Sequence, residues 1–328
     1  MTKIGFVLLV SILLFSGELC NCSYSYGQLK DNYYSTSCKD AESVMKKVID
    51  AELDKDLAAA AGLIRLAYHD CFVEGCDGSI LLEGSDTERS ALINANLKGY
   101  EVIDAAKAAV EEICPGVVSC ADIVQYAARD GTVKLNGSTW EVQGGRKDGR
   151  VSNAATAEAN LPKPTDSATQ LISAFVRRGL STREMVVLSG SHTVGVGHCD
   201  KIVGRLYNFN SSYFTDPSID STYAESLKTQ CPQNSDENTD TQVFMDTFTP
   251  GEFDAKYFNT LTERKGLFTS DQTLFEDART KRSVTSLKSE GRFQKEFGQA
   301  MRAMGGVGVK SVGEIRKTCG AVNSNGLK

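Results

Sequence analysis

The stretch LIRLAYHDCFVEGCDGSILL, from Leu63 to Leu82, contains residue types that could do chemistry together. Arg65 and His69 are four residues apart, so they share one face of a helix. The imidazole can move a proton, and the guanidinium can stabilise the negative charge that develops on a small substrate. A pair of surface residues without a function is the alternative, but the apolar neighbours of both residues indicate a largely buried helix. Because buried charge is costly without a purpose, the pattern favours a site.

The loop after this helix is rich in oxygen ligands. It supplies the side chains of Asp70, Asp77 and Ser79 and, between them, the carbonyl groups of Val73 and Gly75. Hard oxygen ligands on a tight, glycine-containing loop suit Ca²⁺, although the spacing is not that of an EF-hand. Cys71 and Cys76 are close enough in sequence to close this loop. Zinc is disfavoured, because no CxxC or HxxxH pattern accompanies the loop.

The chain has only three histidines, and His192 is the second that could take part in chemistry. It lies in LSGSHTVG, at the end of a helix that begins with a capping box of Ser181 and Glu184. A satisfied core histidine is the ordinary interpretation. With His69 as a base, a role for His192 as a metal ligand becomes attractive. Such a ligand needs an acceptor on its second nitrogen, and Asp271 in KGLFTSDQTLF is a candidate.

The N-terminus predicts an exported protein. A short positive start precedes an apolar run from Ile4 to Phe15, which is typical of a secretory signal peptide and too short for a membrane span. We expect a signal peptide over residues 1–27 and one domain over 28–328. The net charge of −6 argues against nucleic acid or an anionic membrane as the main partner.

Cysteine usage agrees with export. Of 10 cysteines, Cys20 and Cys22 fall in the expected signal peptide, and an even number remains. An even count in a secreted chain predicts four disulfides, whose pairing the sequence alone leaves open among about 100 possibilities. Two Asn-X-Ser sites, Asn136 and Asn210, are expected on surface loops that can carry glycans, and a third at Asn21 is removed with the signal.

Helical periodicity dominates the rest of the chain. One strand is predicted at Trp140–Gln143, and Ser211–Thr241 is predicted to be a long surface excursion held by Cys199 and Cys231. The predicted helices are Asp40–Asp54, Asp56–Tyr68, Gly99–Glu112, Ser119–Asp130, Ser167–Arg178, Thr182–Leu188, Ile202–Asn208, Pro250–Leu261 and Gly291–Met304. The pattern predicts a mainly α protein.

Taken together, these motifs resemble the secretory, class III plant haem peroxidases. The opening stretch and VVLSGSHTVGVGHC are the most specific, and CPGVVSCADI, GGRKDGR, ANLPKPT, DTFTPGEFDAKYF and KGLFTSDQTLF follow in the family's order. The similarity runs from about Gln28 to the C-terminus. It implies a mainly α fold of about ten main helices in two halves around haem b. It also implies disulfides Cys38–Cys114, Cys71–Cys76, Cys120–Cys319 and Cys199–Cys231.

The resemblance implies a role for each candidate site residue. His69, Arg65 and Asn94 would be catalytic, His192 the axial iron ligand, Asp271 its orienting partner, and Pro162 part of the access for aromatic donors. Two Ca²⁺ ions are implied. The residues around the first would be Asp70, Val73, Gly75, Asp77 and Ser79, with Glu88 acting through water, and those around the second Thr193, Asp246, Thr249, Glu252 and Asp254.

The implied activity is reduction of hydrogen peroxide through ferryl intermediates, with one-electron oxidation of small phenolic donors by a monomer in the apoplast rather than the vacuole. The alternative is a secreted, calcium-dependent binding protein with a vestigial haem site. The chain departs from the family at Tyr68, usually Phe, at Ala67, often His, at Lys201, an aromatic in some members, and in FDAKYF. None of these departures removes a catalytic group.

Overall fold

A computed structural model describes residues 29–234 and 240–324, so the expected signal peptide lies outside the described residues. The described part is mainly α-helical, which confirms the predicted fold class. Among the helices in these ranges, none is both long and apolar enough to cross a membrane.

The helices and strands follow in chain order. The helices are α1 (Ala41–Leu53), α2 (Ala58–Cys71), α3 (Tyr100–Ile113), α4 (Cys120–Lys134), α5 (Ala154–Asn160), α6 (Ala168–Arg177), α7 (Thr182–Ser189), α8 (Val203–Leu206), α9 (Ser221–Gln230), α10 (Lys256–Thr262), α11 (Thr269–Glu276), α12 (Ala278–Leu287) and α13 (Glu290–Gly305). Strands β1 (Val196–His198) and β2 (Gln242–Phe244) pair antiparallel, with Val196 opposite Phe244.

Side-chain caps fix where several helices begin. The Ser119 hydroxyl accepts a hydrogen bond from the backbone N–H three residues later, at the start of α4. Ser167 and Ser181 form complete capping boxes at the starts of α6 and α7, and the second of these is the box expected from the sequence. Each cap satisfies an N–H that has no partner within the helix and typically contributes about 1 kcal/mol.

Helix α2 is buried on most of its circumference. Its more exposed residues, Ala58, Ala61, Gly62, Arg65 and Tyr68, recur every three or four positions and therefore form one stripe along the helix. The remaining faces pack against α4, α1 and α13. The first half of the molecule thus holds Arg65 on a helix that is packed on its other faces.

The second half is organised around α7, which packs against α12, α13 and α6. One hydrophobic core runs through both halves, and a smaller cluster lies beneath the Cys199–Cys231 disulfide. The halves approach each other closely beside the site. A Cβ placed on Gly195, three residues after His192, would lie 3.6 Å from the Cβ of Ala61 on α2.

The residues that the structure describes form four disulfides, which are those that the resemblance implied. Cys38–Cys114, Cys120–Cys319 and Cys199–Cys231 link distant parts of the chain, whereas Cys71–Cys76 closes the short loop after α2. A disulfide of this kind typically stabilises a fold by about 2–4 kcal/mol, in part by restricting the unfolded chain.

Some predicted elements were wrong. Trp140–Gln143 is not a strand, because Trp140 packs against Phe297 and Gly298 of α13 and only Gly144 pairs with Lys30. The helix expected over Pro250–Leu261 begins at Lys256. The preceding segment is a loop whose side-chain and carbonyl oxygens gather around the Thr193 hydroxyl. The helix expected over Ile202–Asn208 is confined to Val203–Leu206. The predicted excursion contains α9, and helices α5, α11 and α12 were not predicted.

Candidate active site

Arg65 and His69 contact each other on α2, as their spacing predicts. The Arg65 Nε–H donates to His69 Nε2 at 3.1 Å, and a terminal nitrogen of Arg65 donates to the carbonyl oxygen of Ile93 at 3.0 Å. The imidazole is buried, whereas the Arg65 side chain is exposed. The pair therefore presents a fixed positive charge beside an imidazole nitrogen that accepts a hydrogen bond.

Asn94 determines the protonation of His69. The Asn94 amide nitrogen donates to the carbonyl oxygen of Glu88 at 2.7 Å, so its Oδ1 faces His69 Nδ1, 2.6 Å away. His69 Nδ1 must then carry the proton, and Nε2 keeps its lone pair. Burial, aided by the Arg65 charge, lowers the pKa of His69 to about 3. The imidazole is therefore neutral at physiological pH and can act as a base.

The loop after α2 brings its expected oxygen ligands together. Asp70 accepts from the backbone N–H groups of Gly78 and Ile80, at 3.0 and 3.5 Å. Asp77 accepts from the Ser79 N–H at 3.0 Å, and its other oxygen lies 3.0 Å from the Lys310 ammonium. All of these acidic and hydroxyl side chains are fully buried.

Several buried oxygens at this loop lack a protein partner. The Ser79 hydroxyl and both carboxylate oxygens of Glu88 make no hydrogen bond. Burial and the neighbouring Asp70 charge raise the pKa of Glu88 to about 9. Burial and Asp77 likewise raise the pKa of Asp70 to about 8. Such a cluster fits a bound cation, which would offset the cost of burying these groups.

The ligands available to such a cation are of mixed type. In residues 29–234 and 240–324, no three His, Cys, Asp or Glu side chains converge closely enough to hold a metal by themselves. The set would need the Ser79 hydroxyl and the carbonyl groups of Val73 and Gly75. Gly75 has a φ of +95°, and a Cβ there would lie 2.6 Å from the Gly308 carbonyl oxygen, so the loop can pass here only with glycine.

His192 lies in a single turn of 3₁₀-helix, Gly190–Thr193, directly after α7. Its Nδ1 is 2.7 Å from Asp271 Oδ1, and the other Asp271 oxygen accepts from the Phe268 N–H at 2.9 Å. Burial alone would raise the pKa of Asp271, but His192 and these hydrogen bonds hold it below its usual value. The carboxylate is therefore ionised, His192 Nδ1 donates to it, and Nε2 is left with a lone pair.

Tyr257 is a residue of this site that the sequence analysis missed. The Tyr257 hydroxyl donates to Asp271 Oδ1 at 2.9 Å, the same oxygen that accepts from His192. Its ring lies edge-on to the imidazole, with centroids 6.0 Å apart. Tyr257 belongs to the FDAKYF segment, but nothing in that segment indicates where its hydroxyl points.

A second group of oxygens surrounds Thr193. The Thr193 hydroxyl lies 2.9 Å from Asp246 Oδ2, 3.2 Å from Asp254 Oδ1 and 3.5 Å from the Glu252 carbonyl oxygen. The Thr249 hydroxyl donates to the other Asp254 oxygen at 2.8 Å. One hydroxyl proton cannot serve three acceptors, so this set also fits a cation. All five residues expected for the second ion are thus close together.

Tyr68 lies in an aromatic cluster beside His69. Its ring centroid is 4.3 Å from that of Phe72, 6.1 Å from Phe175 and 5.5 Å from His69. Burial raises the pKa of the Tyr68 phenol above its usual value. Its hydroxyl makes no hydrogen bond with any described residue, and its ring packs against other aromatic rings.

Pro162 is half-buried between α5 and α6. Within the described part of the chain, it makes no hydrogen bond or ring contact with Arg65, His69 or Asn94. Its segment is nevertheless tied to α2. Arg178 donates both to the Asn160 side-chain oxygen at 2.9 Å and to the Phe72 carbonyl oxygen at the end of α2. Pro162 therefore follows, by two residues, an asparagine that Arg178 ties to the end of α2.

Comparison with known proteins identifies the family. The family model described as Peroxidase matches residues 42–290. The chain belongs to the peroxidase family. It is 47% identical to Peroxidase N1 of Nicotiana tabacum over 298 residues, covering 89% of each chain. It is 44% identical to Peroxidase 27 of Arabidopsis thaliana over 301 residues, 90% of this chain and 92% of the relative. Peroxidase 5 of Vitis vinifera is 42% identical over 98% of this chain and 99% of its own.

Membership of this family makes the protein a plant-type haem peroxidase, an oxidoreductase that uses hydrogen peroxide and a reducing substrate. The family also implies haem and calcium in general. The alternative of a binding protein with a vestigial site is not favoured, because the relatives matched over most of the chain are peroxidases.

Proposed function

We propose that this peroxidase binds haem b between Arg65 and His69 on one side and His192 on the other, and that it oxidises small phenolic donors. One observation carries the proposal. Both histidines have Nδ1 hydrogen-bonded to a fixed side-chain oxygen, Asn94 for His69 and Asp271 for His192, at 2.6 and 2.7 Å. Each Nε2 therefore keeps its lone pair, one for a proton and one for a metal.

The distal residues act on hydrogen peroxide. His69 Nε2 takes a proton from the bound peroxide and returns it to the oxygen that departs as water. Arg65 stabilises the negative charge that develops while the O–O bond breaks. Asn94 holds the imidazole in the tautomer whose Nε2 is unprotonated. When bound, haem would supply the two electrons that O–O cleavage consumes and would regain them from two donor molecules, one electron from each.

The proximal residues would hold and tune the iron. His192 Nε2 would be the axial ligand, and Asp271 would increase the electron donation of its imidazole by accepting the Nδ1 proton in a hydrogen bond. The buried oxygens without hydrogen-bond partners around Ser79, and the oxygens that crowd the Thr193 hydroxyl, support one Ca²⁺ site each. The first would be formed by Asp70, Val73, Gly75, Asp77 and Ser79 with Glu88 through water, and the second by Thr193, Asp246, Thr249, Glu252 and Asp254.

The first calcium site would be coupled to the base through covalent and hydrogen bonds. Asp70 follows His69 directly, and the Glu88 carbonyl orients the Asn94 amide that holds His69. A cation that fixes Asp70 and Glu88 would therefore hold both His69, which precedes Asp70, and Asn94, whose amide the Glu88 carbonyl orients. Its role in this account is to position the base rather than to take part in the reaction.

The remaining parts of the proposal concern donor access, location, partners and oligomeric state. Pro162 would border the access for phenolic donors. The signal-peptide pattern of residues 1–27 supports secretion to the apoplast, with residues 28–328 as the mature domain. A net charge of −6 supports a protein without nucleic acid or membrane as a partner, and we propose a monomer.

The test is spectroscopic, combined with a ligand substitution. We expect the purified protein to show a Soret band, and His192→Ala to lose haem affinity or its five-coordinate ferrous histidine spectrum, with partial recovery on addition of imidazole. The matched control is His198→Ala, which removes a histidine bonded to Gln242 rather than to Asp271. A spectrum unchanged by His192→Ala would refute the axial assignment.

A further inference from the structure

The proximal carboxylate is shared by two side-chain donors. Asp271 Oδ1 accepts from His192 Nδ1 at 2.7 Å and from the Tyr257 hydroxyl at 2.9 Å, while its second oxygen accepts from the Phe268 N–H. Tyr257 is 1% exposed and Asp271 is 2% exposed, so water does not compete for these contacts. The carboxylate is therefore held by three donors, of which two act on one oxygen.

When two donors share one carboxylate oxygen, each hydrogen bond weakens the other. A carboxylate oxygen that already accepts from a phenol carries less negative charge for a second donor, so it draws the His192 N–H less strongly. The strength of this N–H bond determines how far the imidazole approaches an imidazolate, and hence how strongly Nε2 donates electrons to a metal. The Tyr257 hydroxyl thus acts against the effect of Asp271.

We propose that Tyr257 is a positioning residue that limits the electron donation of His192 to the haem iron through its hydrogen bond to Asp271. The inference rests on the proposed role of His192 as the axial ligand. Removing the Tyr257 hydroxyl would leave Asp271 as a stronger acceptor, which would stabilise ferric over ferrous iron. The enzyme would then be harder to reduce, and the iron–histidine bond would be stronger.

A structural role alone would give a different result. The Tyr257 ring packs edge-on to Phe258, with centroids 5.3 Å apart, and a phenylalanine ring can occupy the same space. If the ring only fills the core, Tyr257→Phe changes stability slightly and leaves the properties of the iron unaltered. Readouts at the iron therefore separate the two roles.

The experiment compares Tyr257→Phe with wild-type holoenzyme. Two quantities are measured, the ferric/ferrous midpoint potential by spectroelectrochemistry and the iron–histidine stretching frequency of the ferrous enzyme by resonance Raman. We expect a more negative potential and a higher frequency. At a fixed potential, the ferric-to-ferrous ratio should rise roughly three- to tenfold, the effect of one hydrogen bond of about 0.7–1.4 kcal/mol.

The matched control is Tyr34→Phe. Tyr34 is also buried, and its hydroxyl donates to a buried carboxylate, Asp122, at 2.6 Å, but it has no contact with His192. This variant should lose a similar hydrogen bond and leave both iron readouts unchanged. An unchanged potential and frequency in Tyr257→Phe, or equal shifts in the two variants, would overturn the inference.

A second substitution covers the case in which Tyr257→Phe does not retain haem. Tyr257→3-fluorotyrosine keeps the size and the hydroxyl but makes the phenol a stronger donor, so the potential should move in the opposite direction, to a more positive value. A shift to a more negative value, or none, would contradict the inference. A wrong assignment of His192 as the iron ligand would give a different result from a wrong role for Tyr257. In that case the wild-type protein itself would lack a Soret band or an iron–histidine band.

Discussion

Replacing His69 by alanine should slow the reaction with peroxide more than any other single change in the distal site. No neighbour can substitute as the base. The Arg65 guanidinium has no lone pair with which to accept a proton. The Asp70 oxygens already accept hydrogen bonds from the backbone N–H groups of Gly78 and Ile80. The imidazole would serve first as base and then as acid, and each such role is typically worth about 10²–10⁴-fold.

The two roles are not independent, because one proton is taken and returned by one group. We therefore expect His69→Ala to lower the second-order rate constant by about 10⁴-fold, or about 5.4 kcal/mol of transition-state stabilisation. Asn94→Ala should cost about fivefold, the equivalent of one net hydrogen bond of about 1 kcal/mol. If Asn94 acts only through His69, the double variant should be no slower than His69→Ala.

The assay is stopped-flow spectroscopy in the Soret region, with peroxide in excess and with haem content and melting temperature measured for every variant. A rate for His69→Ala within tenfold of wild type, at equal haem content, would refute the assignment of the base. A further loss of rate in the double variant beyond His69→Ala would show instead that Asn94 acts by a separate route.

Two further predictions concern the surroundings of the base. Prolonged chelation of calcium should shift the haem spectrum and lower activity before the protein unfolds, because Asp70 adjoins His69. Adding Ca²⁺ should restore both. Unchanged activity in protein shown by elemental analysis to lack calcium would contradict this coupling. Tyr68→Phe should lengthen the life of the first oxidised state in the absence of donor and remove a tyrosyl signal in freeze-quench electron paramagnetic resonance, since the Tyr68 phenol lies beside His69 without a hydrogen-bond partner among the described residues. Equal lifetimes and identical radical spectra would leave Tyr68 with a packing role only.

Local spacing predicted the parts of the site that one helix or one loop supplies. Arg65 and His69 share a face because a helix repeats every 3.6 residues, and Ser181 begins α7 because a serine with glutamate three residues later forms a capping box. The oxygen-rich loop after α2 was likewise recognisable from residue types alone. The contact of Asp271 with His192, 79 residues apart, was proposed as a candidate, and only the fold brings the two together.

The errors arose where tertiary packing overrides local pattern. Trp140–Gln143 alternates like a strand, yet Trp140 is held against α13 and no neighbouring strand pairs with it in the described chain. Pro250 can begin a helix, but the oxygen cluster around Thr193 keeps the chain irregular as far as Asp254. The Tyr257 hydroxyl could not be placed, because its partner lies on another helix and no sequence signal encodes the direction of a buried side chain.

The central claim is that this chain places a proton-accepting histidine and an iron-binding histidine on opposite sides of one haem. The most direct test is the visible spectrum of the purified, calcium-replete protein before and after addition of one equivalent of hydrogen peroxide. We predict a Soret band that changes within milliseconds in the wild-type protein and remains almost unchanged on that timescale in His69→Ala. A protein without a Soret band, or one in which both proteins respond to peroxide at the same rate, would contradict the account.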